Sequence, residues 1–469
     1  MQNQNPIWPL VDARAATFTA LADRVFDTPE IAYTETQSCA AHTAMLREQG
    51  FRVTEHLANI PTAVMGEAGT GGPVIAILGE YDALPGLSQA PGVAEPQPIA
   101  DHGMGHGCGH NLLGSAALSA ATAVKDWLAA TGTPGRVRYY GCPAEEGGAA
   151  KTYMVRDGLF DDVDLAITWH PGDFNAVDDM RSLANMRIDF TFTGRAAHAA
   201  GAPELGRSAL DAVELMNIGV NYLREHMPDA ARVHYAYLDA GGTAPNVVQA
   251  RATVRHLIRS PDLAGLADLT ARVRAIADGA ALMTGTQVAS RVFSAVSNLV
   301  ENRPLSLAMQ AEFDALGPVP FDDADLAFAL AIRRTLTTAE IADTFRTLAM
   351  KPDQSLAICD FIAPLDRPFV GGMGSTDVGD VSWAVPLAQV RVATCAMGTQ
   401  LHSWQQTAQG KAPFAHKGML HAAKVMAATA RRALLDDTLR SAARQAHRTM
   451  LAETPYACPI PAGVSPPVR

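Results

Sequence analysis

The sequence predicts an α/β protein in two parts: a larger domain on a mostly parallel sheet with helices on both faces, and a smaller α+β domain inserted into it. The length of 469 residues exceeds one ordinary hydrophobic core. Apolar strands alternate with helical segments before residue 186, which favours a parallel sheet. Around Met186 the pattern changes to alternating strands with a long helix between them.

The first part of the larger domain should begin with helices from Val11 to Val25 and from Thr36 to Gln49. Residues 73–86 begin as an apolar run typical of a strand buried on both faces. Asn111 can cap the helix that follows. Further strands are expected in 136–148 and 162–173, and each ends in a polar loop.

The inserted domain is predicted to span 186–298, so that the larger domain comprises 1–185 and 299–469. Its expected elements are a strand at 186–194, a helix at 206–227, and strands at 231–242 and 246–260. The larger domain should then resume with helices at 305–316, 325–336 and 416–435. The proline-rich segment 455–469 is expected to pack irregularly or to remain loose.

Composition excludes several classes of protein. The formal net charge of −11 and the absence of a basic cluster argue against a nucleic-acid partner. No segment has the length and apolarity of a membrane span or of a secretory signal, so we expect a cytoplasmic protein without a membrane partner. The 6 cysteines contain no CxxC pair and do not suggest a disulfide framework.

The segment GHGCGHNLLG, residues 105–114, has three interpretations from its residues alone. A dinucleotide loop fails, because Leu112 stands where the third glycine of GxGxxG belongs and no apolar strand precedes it. A glycine-rich turn with incidental histidines remains open. A metal site would use Cys108 and His110, but needs further ligands from elsewhere in the chain.

Other segments offer such ligands at the predicted ends of strands. PAEEGG supplies Glu145 and Glu146, of which one can bind metal while its neighbour takes the proton of a water. TWHPGD supplies His170, and the later segments GSTDVGD and LHSW supply Asp377, Asp380 and His402. Taken singly, each could be structural; their recurrence at strand ends favours a metal-dependent hydrolase.

The order of these motifs resembles that of the dinuclear-metal amidohydrolases and carboxypeptidases, a family that includes auxin-conjugate and p-aminobenzoyl-glutamate hydrolases. The segments that carry the resemblance, from about residue 29 to residue 427, are EYDALPG, GCGHNLLG, PAEEGG, TWHPGD, GRAAHAAGAPELGRSALDA, APNVV, GSTDVGD and LHSW. The resemblance implies hydrolysis of an N-acyl or N-aroyl amino acid with a free carboxylate. The leading substrate is p-aminobenzoyl-glutamate. The alternative is hydrolysis of auxin–amino-acid conjugates such as indole-acetyl-aspartate, or a related dipeptidase activity.

The resemblance also implies roles for individual residues. Cys108 would bridge two divalent metal ions, Zn being favoured and Mn or Co being alternatives. Glu145 would be the general base and acid, and Asp82 would lie behind the ligands and orient one of them. Glu80 stands where other branches place a metal histidine. The remaining metal ligands implied by the resemblance are His110, Glu146, His170 and His402.

The inserted domain would act as a lid and as a dimerisation domain. The resemblance implies that His198 reaches the partner subunit's active site and stabilises the oxyanion, while Asn246 and Arg259 hold the substrate carboxylate. From their sequence context alone, structural roles are favoured instead: a loop histidine, a turn former before a strand, and a salt-bridge donor at a strand end. His416 is either a substrate contact or a residue at a helix start.

Two further expectations concern partners and activity. The helix predicted at 206–227 is apolar around much of its circumference, which favours a homodimer or a heterodimer with a related A-type subunit. The alternative to an enzyme is a catalytically silent subunit that only binds ligands or a partner. A serine hydrolase is disfavoured because the chain has no GxSxG segment.

Overall fold

The computed structural model describes residues 5–178, 180–368 and 373–468. Its strands, in chain order, are β1 (Arg52–Glu55), β2 (Val64–Thr70), β3 (Val74–Glu80), β4 (Gly135–Cys142), β5 (Leu165–Gly172), β6 (Ala176–Val177), β7 (Ala184–Thr193), β8 (Arg232–Asp239), β9 (Arg251–Ser260), β10 (Gln287–Val296) and β11 (Leu387–Ala393).

The helices frame these strands in the order expected for an α/β domain with an insertion. They are α1 (Trp8–Asp12), α2 (Ala15–Asp27), α3 (Thr36–Glu48), α4 (His110–Thr131), α5 (Ala150–Arg156), α6 (Ala209–Leu223), α7 (Leu263–Thr284), α8 (Arg303–Leu316), α9 (Asp323–Arg333), α10 (Thr338–Thr347), α11 (Val378–Ala384), α12 (Trp404–Gln409), α13 (Pro413–Leu435) and α14 (Asp437–Glu453).

The larger sheet has the order β1-β2-β4-β3-β5-β11-β6. The four central strands β4, β3, β5 and β11 are parallel, and antiparallel strands flank them on both sides. Strand β3 is buried along its whole length, as its uninterrupted apolar run predicted. Ile75 and Ile77 face the core around α4 and α13, while Ala76 and Leu78 face the opposite side. The predicted α/β class is confirmed.

The smaller sheet has the order β10-β7-β9-β8, and every pairing in it is antiparallel. Helices α6 and α7 pack together against one face, where alternate residues of β7 and β9 are buried. The strands of this sheet begin at Ala184 and end at Val296. The assignment of 186–298 as a separate domain stays a prediction, and we refer to this part as the lid.

One predicted helix is interrupted in the structure, and the C-terminal tail takes one of the two forms expected for it. The helix predicted from Val11 to Val25 is divided into α1 and α2. The C-terminal tail packs irregularly: Ile460 is buried, and the Tyr456 hydroxyl donates to Asp380 at 2.8 Å. None of the helices in the described residues combines the length and apolar character needed to cross a membrane.

Candidate metal centre

The candidate centre lies where the carboxyl ends of β3, β4 and β5 meet the start of α4. Parallel strands end at the same edge of a sheet, which is where open α/β proteins bind ligands. Asp82 follows β3, Glu145 and Glu146 follow β4, and His170 lies near the end of β5. Cys108 lies two residues before His110, the first residue of α4.

The backbone around these residues is tightly constrained. Gly109 has a φ of 77°, and a Cβ there would lie 3.0 Å from the Pro171 side chain, so glycine is required between Cys108 and His110. Ala144 and His402 also have positive φ values, of 58° and 61°. Such conformations are costly for residues other than glycine and concentrate at functional sites.

Two groups of potential metal ligands share one sulfur atom. Cys108, His110 and His170 each offer an atom within 4.8 Å of the others, and the same holds for Cys108, Glu146 and His402. The Cys108 Sγ atom lies 3.6 Å from His170 Nε2. The Glu146 Oε1 atom lies 3.1 Å from His402 Nε2. A thiolate at the junction of two three-ligand groups can bridge two metal ions.

The donor atoms fit divalent metals. His110 Nε2 and Glu146 Oε1 are both buried and make no hydrogen bond within the described chain. His110 Nε2 lies 3.3 Å from Glu80 Oε2 and Glu146 Oε1 lies 3.1 Å from His402 Nε2, but neither contact has hydrogen-bond geometry. Buried polar atoms normally have partners, so unpaired atoms in a donor set of this kind indicate that these groups can bind cations. Thiolate, imidazole and carboxylate ligands together suit Zn and related ions.

Hydrogen bonds fix the direction of the histidine rings. His110 Nδ1 lies 2.9 Å from Asp82 Oδ1, and the other Asp82 oxygen accepts from the Glu146 backbone N–H at 2.9 Å. His170 Nδ1 is bonded to the Pro171 carbonyl at 2.7 Å. Each ring therefore presents Nε2 to the ligand group, which is the usual outer-shell arrangement of metal-binding histidines. Burial, followed by the charges of Arg391 and His110, lowers the pKa of His170 to about 4 and keeps its ring neutral.

Glu145 has the electrostatic environment of a general base. Loss of hydration in the cavity, followed by the negative charges of Glu80 and Glu146, raises the pKa of Glu145 well above its ordinary value. A raised pKa makes a carboxylate a better proton acceptor near neutral pH. Glu145 also belongs to a third group of clustered donors, with Glu80 and His110.

A buried ion network beneath the centre was missed by the sequence analysis. Lys151 Nζ lies 2.7 Å from Glu80 Oε1 and 2.6 Å from Asp377 Oδ1, and all three side chains are almost completely excluded from solvent. Glu80 in turn lies 3.3 Å from His110 Nε2. The available signal was weak: a single lysine, four residues after Gly147, in a short helix.

The ligand groups open into a cavity of about 600 Å³ between the larger domain and the lid. Arg259 of β9 lines this cavity, and its Nε atom is buried without a hydrogen-bond partner. A neighbouring arginine, Arg187 of β7, also lines it and was not identified from the sequence. The cavity therefore combines metal-ligating groups at one end with guanidinium groups contributed by the lid.

Three predicted site residues lie away from both the ligand groups and the cavity. His198 and Asn246 are exposed on adjoining lid loops, joined by a hydrogen bond from Ala199 N–H to the Asn246 carbonyl at 3.0 Å. His416, in α13, lies 2.9 Å from Asp23 of α2. The structure thus brings together the predicted ligands, Glu145, Asp82 and Arg259, but not His198, Asn246 or His416.

A family comparison accounts for this arrangement. The model of peptidase family M20/M25/M40 matches residues 76–405, which is more than half of the chain. The chain belongs to this peptidase family. The resemblance inferred from the ordered motifs is confirmed, and so is the expectation of a metal-dependent enzyme that hydrolyses amide bonds.

Individual relatives extend the comparison over nearly the whole chain. The chain is 46% identical to the B-type subunit of p-aminobenzoyl-glutamate hydrolase from Escherichia coli, covering 97% of both chains. It is 27% identical to the Xaa-Arg dipeptidase of Mus musculus, covering 94% of this chain and 91% of the relative.

Solved structures of this peptidase family share the fold. A dinuclear metal binding peptidase of the M20 family from Bacillus subtilis aligns with a TM-score of 0.55 at 16% identity, covering 90% of this chain and 99% of that one. An aminobenzoyl-glutamate utilization protein from Klebsiella pneumoniae aligns with a TM-score of 0.58 at 18% identity, covering 88% and 98%. Membership of the M20 family and the two donor groups around Cys108 support divalent metal ions as the cofactors of this chain.

Proposed function

We propose that this M20 peptidase hydrolyses the amide bond of N-aroyl or N-acyl amino acids, with p-aminobenzoyl-glutamate as its leading substrate. The observation that carries the proposal is the pair of ligand groups sharing Cys108 at one end of a cavity that also contains Glu145 and Arg259. The printed name of the Escherichia coli relative, 46% identical, supports the choice of substrate.

The residues of this chain would divide the chemistry between them. Two divalent metal ions held by Cys108, Glu146 and the three histidines would supply an activated water and polarise the amide carbonyl, with Zn favoured over Mn or Co. Glu145 would accept the proton of the water and return it to the leaving nitrogen. Asp82 would keep His110 oriented through the 2.9 Å contact with its Nδ1.

The lid would recognise the substrate and complete the site. Arg259 faces the cavity with an unpaired Nε and would bind the free α-carboxylate. His198 Nδ1 accepts from the backbone N–H groups of Ala200 and Gly201 at 3.2 and 3.0 Å, so the neutral ring carries its proton on Nε2 and can donate from there. Because His198 and Asn246 are exposed, we assign their roles to the active site of a partner subunit.

The edge of the lid sheet supports association of subunits. Strand β8 pairs with β9 alone in the part of the chain that the structure describes, which leaves one edge open. Tyr235, Tyr237 and Leu238 are exposed along β8, and Ile218 and Tyr222 are exposed on α6. An open edge beside exposed apolar side chains is a template for strand pairing. We propose a dimer through this surface, either with a second copy or with an A-type subunit, as the subunit names of two Escherichia coli relatives suggest.

A substrate panel tests the proposed function. The full chain, loaded in turn with Zn, Mn and Co, is incubated with p-aminobenzoyl-glutamate, indole-acetyl-aspartate and simpler N-acyl amino acids, and the released amino acids are identified. We expect the fastest release from p-aminobenzoyl-glutamate. Faster release from indole-acetyl-aspartate would show that an auxin conjugate is the preferred substrate. Absence of turnover with every metal would favour a catalytically silent partner subunit.

A further inference from the structure

Two lid arginines share the face of the lid sheet that looks into the cavity. In the antiparallel pairing of β7 and β9, Arg187 lies opposite Leu257 and Asn185 lies opposite Arg259. Residues two apart in a strand point to the same face, so Arg187 and Arg259 lie side by side on one face. Ile188 and Ile258, which point the other way, are buried in the core beneath α6 and α7.

Neither of these two guanidinium groups has a carboxylate partner among the described residues. Arg187 Nη1 donates to the Gly147 carbonyl at 3.0 Å, and Arg259 Nε is buried without any partner. No ion pair within 4.0 Å joins either of them to an acidic side chain of the described chain. Two adjacent cations in a confined cavity repel each other and have lost part of their hydration.

A third arginine on the same face, in contrast, has a carboxylate partner. Arg255, two positions from Leu257, makes two contacts with the carboxylate of Asp189, at 2.6 and 2.9 Å, and lies 3.9 Å from the centre of the Phe293 ring. At the far side of the cavity, Arg391 is likewise paired with Asp178 at 3.3 Å. Arg187 and Arg259 differ from these two cavity-side arginines because no carboxylate of the described residues lies within 4.0 Å of either guanidinium.

The charged form of Arg187 is disfavoured by its surroundings. Burial, followed by the positive charges of Arg255 and Arg259, lowers the pKa of Arg187 below its ordinary value, although the nearby carboxylates of Glu145 and Glu146 act in the opposite direction. Its contact with Gly147 places it beside the loop that carries Glu145 and Glu146. An anionic group of the substrate would relieve the repulsion at this position.

We infer that Arg187 and Arg259 form a subsite for two carboxylates, Arg259 binding the α-carboxylate and Arg187 binding the side-chain carboxylate of an acidic amino acid. The inference rests on the proposed function and narrows its substrates to N-acyl derivatives of glutamate or aspartate. A substrate with one carboxylate would leave one of the two guanidinium groups without a counter-charge, whereas a substrate with two carboxylates would supply one to each arginine. Guanidinium groups bind carboxylates through two parallel hydrogen bonds, which gives both energy and orientation.

Binding to an inactive variant tests the subsite without turnover. In the zinc-loaded full chain carrying Glu145→Gln, the dissociation constants of p-aminobenzoyl-glutamate and p-aminobenzoyl-glutamine are measured by calorimetry. These ligands are nearly isosteric and differ in one charge. We expect the added substitution Arg187→Gln to weaken binding of the glutamate ligand roughly 10- to 100-fold and of the glutamine ligand much less.

The control variants distinguish recognition of the side-chain carboxylate by Arg187 from a structural role of Arg187 in holding the loop at Gly147. Arg259→Gln should weaken the binding of both ligands, because both carry the α-carboxylate. Arg255→Gln should leave both dissociation constants unchanged. Arg187→Lys should restore part of the preference for glutamate and also covers the case in which Arg187→Gln fails to fold. Equal weakening of both ligands by Arg187→Gln, or no weakening, would overturn the inference.

The same ligands distinguish failure of the inference from failure of the proposed function. If the enzyme that retains Glu145 hydrolyses neither ligand but the inactive variant still prefers glutamate through Arg187, the proposed reaction is wrong and the subsite stands. If p-aminobenzoyl-glutamate is hydrolysed but Arg187 does not discriminate between the ligands, the reaction stands and the subsite is wrong.

Discussion

Replacing Lys151 with Met would remove the cation that holds two buried carboxylates beneath the metal centre. Lys151 Nζ lies 2.7 Å from Glu80 and 2.6 Å from Asp377, and its side chain is 0% exposed. Removing one partner of a buried ion pair costs about 3–5 kcal/mol because the other charge stays buried and uncompensated. We therefore expect the free energy of unfolding to fall by about that amount in Lys151→Met.

The pH dependence of this loss gives a second, independent result. Burial raises the pKa of Asp377 to about 6 even though Lys151 acts to lower it, so removing Lys151 raises that pKa further. A carboxyl group whose pKa is raised by folding stabilises the protein at low pH, and this contribution is lost as pH rises through the folded-state pKa. The loss of stability in Lys151→Met should therefore be larger at pH 8 than at pH 5.

Urea unfolding of the metal-free proteins, followed by circular dichroism at both pH values, measures the effect. Lys125→Met is the matched control, because Lys125 forms an ion pair with Asp126 at 2.5 Å with both side chains about one-fifth exposed. Its loss should be about 1 kcal/mol or less. A loss below about 1 kcal/mol in Lys151→Met, or an equal loss at pH 5 and pH 8, would refute the assignment of a charged network.

Four further results are expected. Glu145→Gln should lower kcat by about 10²- to 10⁴-fold with unchanged metal content by elemental analysis, and wild-type turnover would exclude Glu145 as the base. His198→Ala should lower turnover without changing the urea midpoint; a shifted midpoint would indicate a structural role instead. Burial lowers the pKa of His42 to about 3. On acidification below the ordinary pKa of histidine, the unfolded state therefore binds a proton that the folded state does not, and the free energy of unfolding falls. Wild type should lose about 2 kcal/mol between pH 6.5 and pH 5 that His42→Asn does not lose, and equal urea-unfolding profiles would contradict this. Leu238→Glu on β8 should shift the sedimentation coefficient from dimer to monomer, whereas an unchanged coefficient would exclude that edge.

The convergence of site residues was predictable because strand direction is readable from the sequence. The uninterrupted apolar run of β3 and the alternation with α4 indicated parallel strands. Polar residues after parallel strands must meet at one edge, and Asp82, Glu146 and His170 do meet there. The role of Cys108 as a shared ligand, in contrast, came from the resemblance, since two residues of a loop do not reveal what lies opposite them.

Other features were not predictable from local patterns. Lys151 looks like an ordinary surface lysine, and only packing of α5 against α11 buries it. Arg187 lies in a strand in which polar and apolar residues alternate, a pattern that places its polar residues on a solvent-exposed face. That face lines the cavity because the lid sheet lies against the larger domain.

Some missed elements did carry readable signals. Helix α7 is capped by the Asp262 side chain, which accepts from the Gly265 N–H, and it ends at Gly285 with a φ of 64°. Both are standard helix boundary signals. Helix α14 carries similar signals: the Asp436 side chain caps it by accepting from the Leu439 N–H, and its buried residues Leu439, Ala443 and His447 recur every four positions on one face.

The sharing of Cys108 between two ligand groups is tested most directly by the number of metal ions bound per chain. Wild type and Cys108→Ala are loaded with zinc, dialysed and analysed for metal, with Cys39→Ala, another buried free cysteine, as control. We predict about two zinc ions per chain in wild type and in Cys39→Ala, and fewer than one in Cys108→Ala, because both groups lose a ligand. Retention of two zinc ions in Cys108→Ala would contradict the bridged centre.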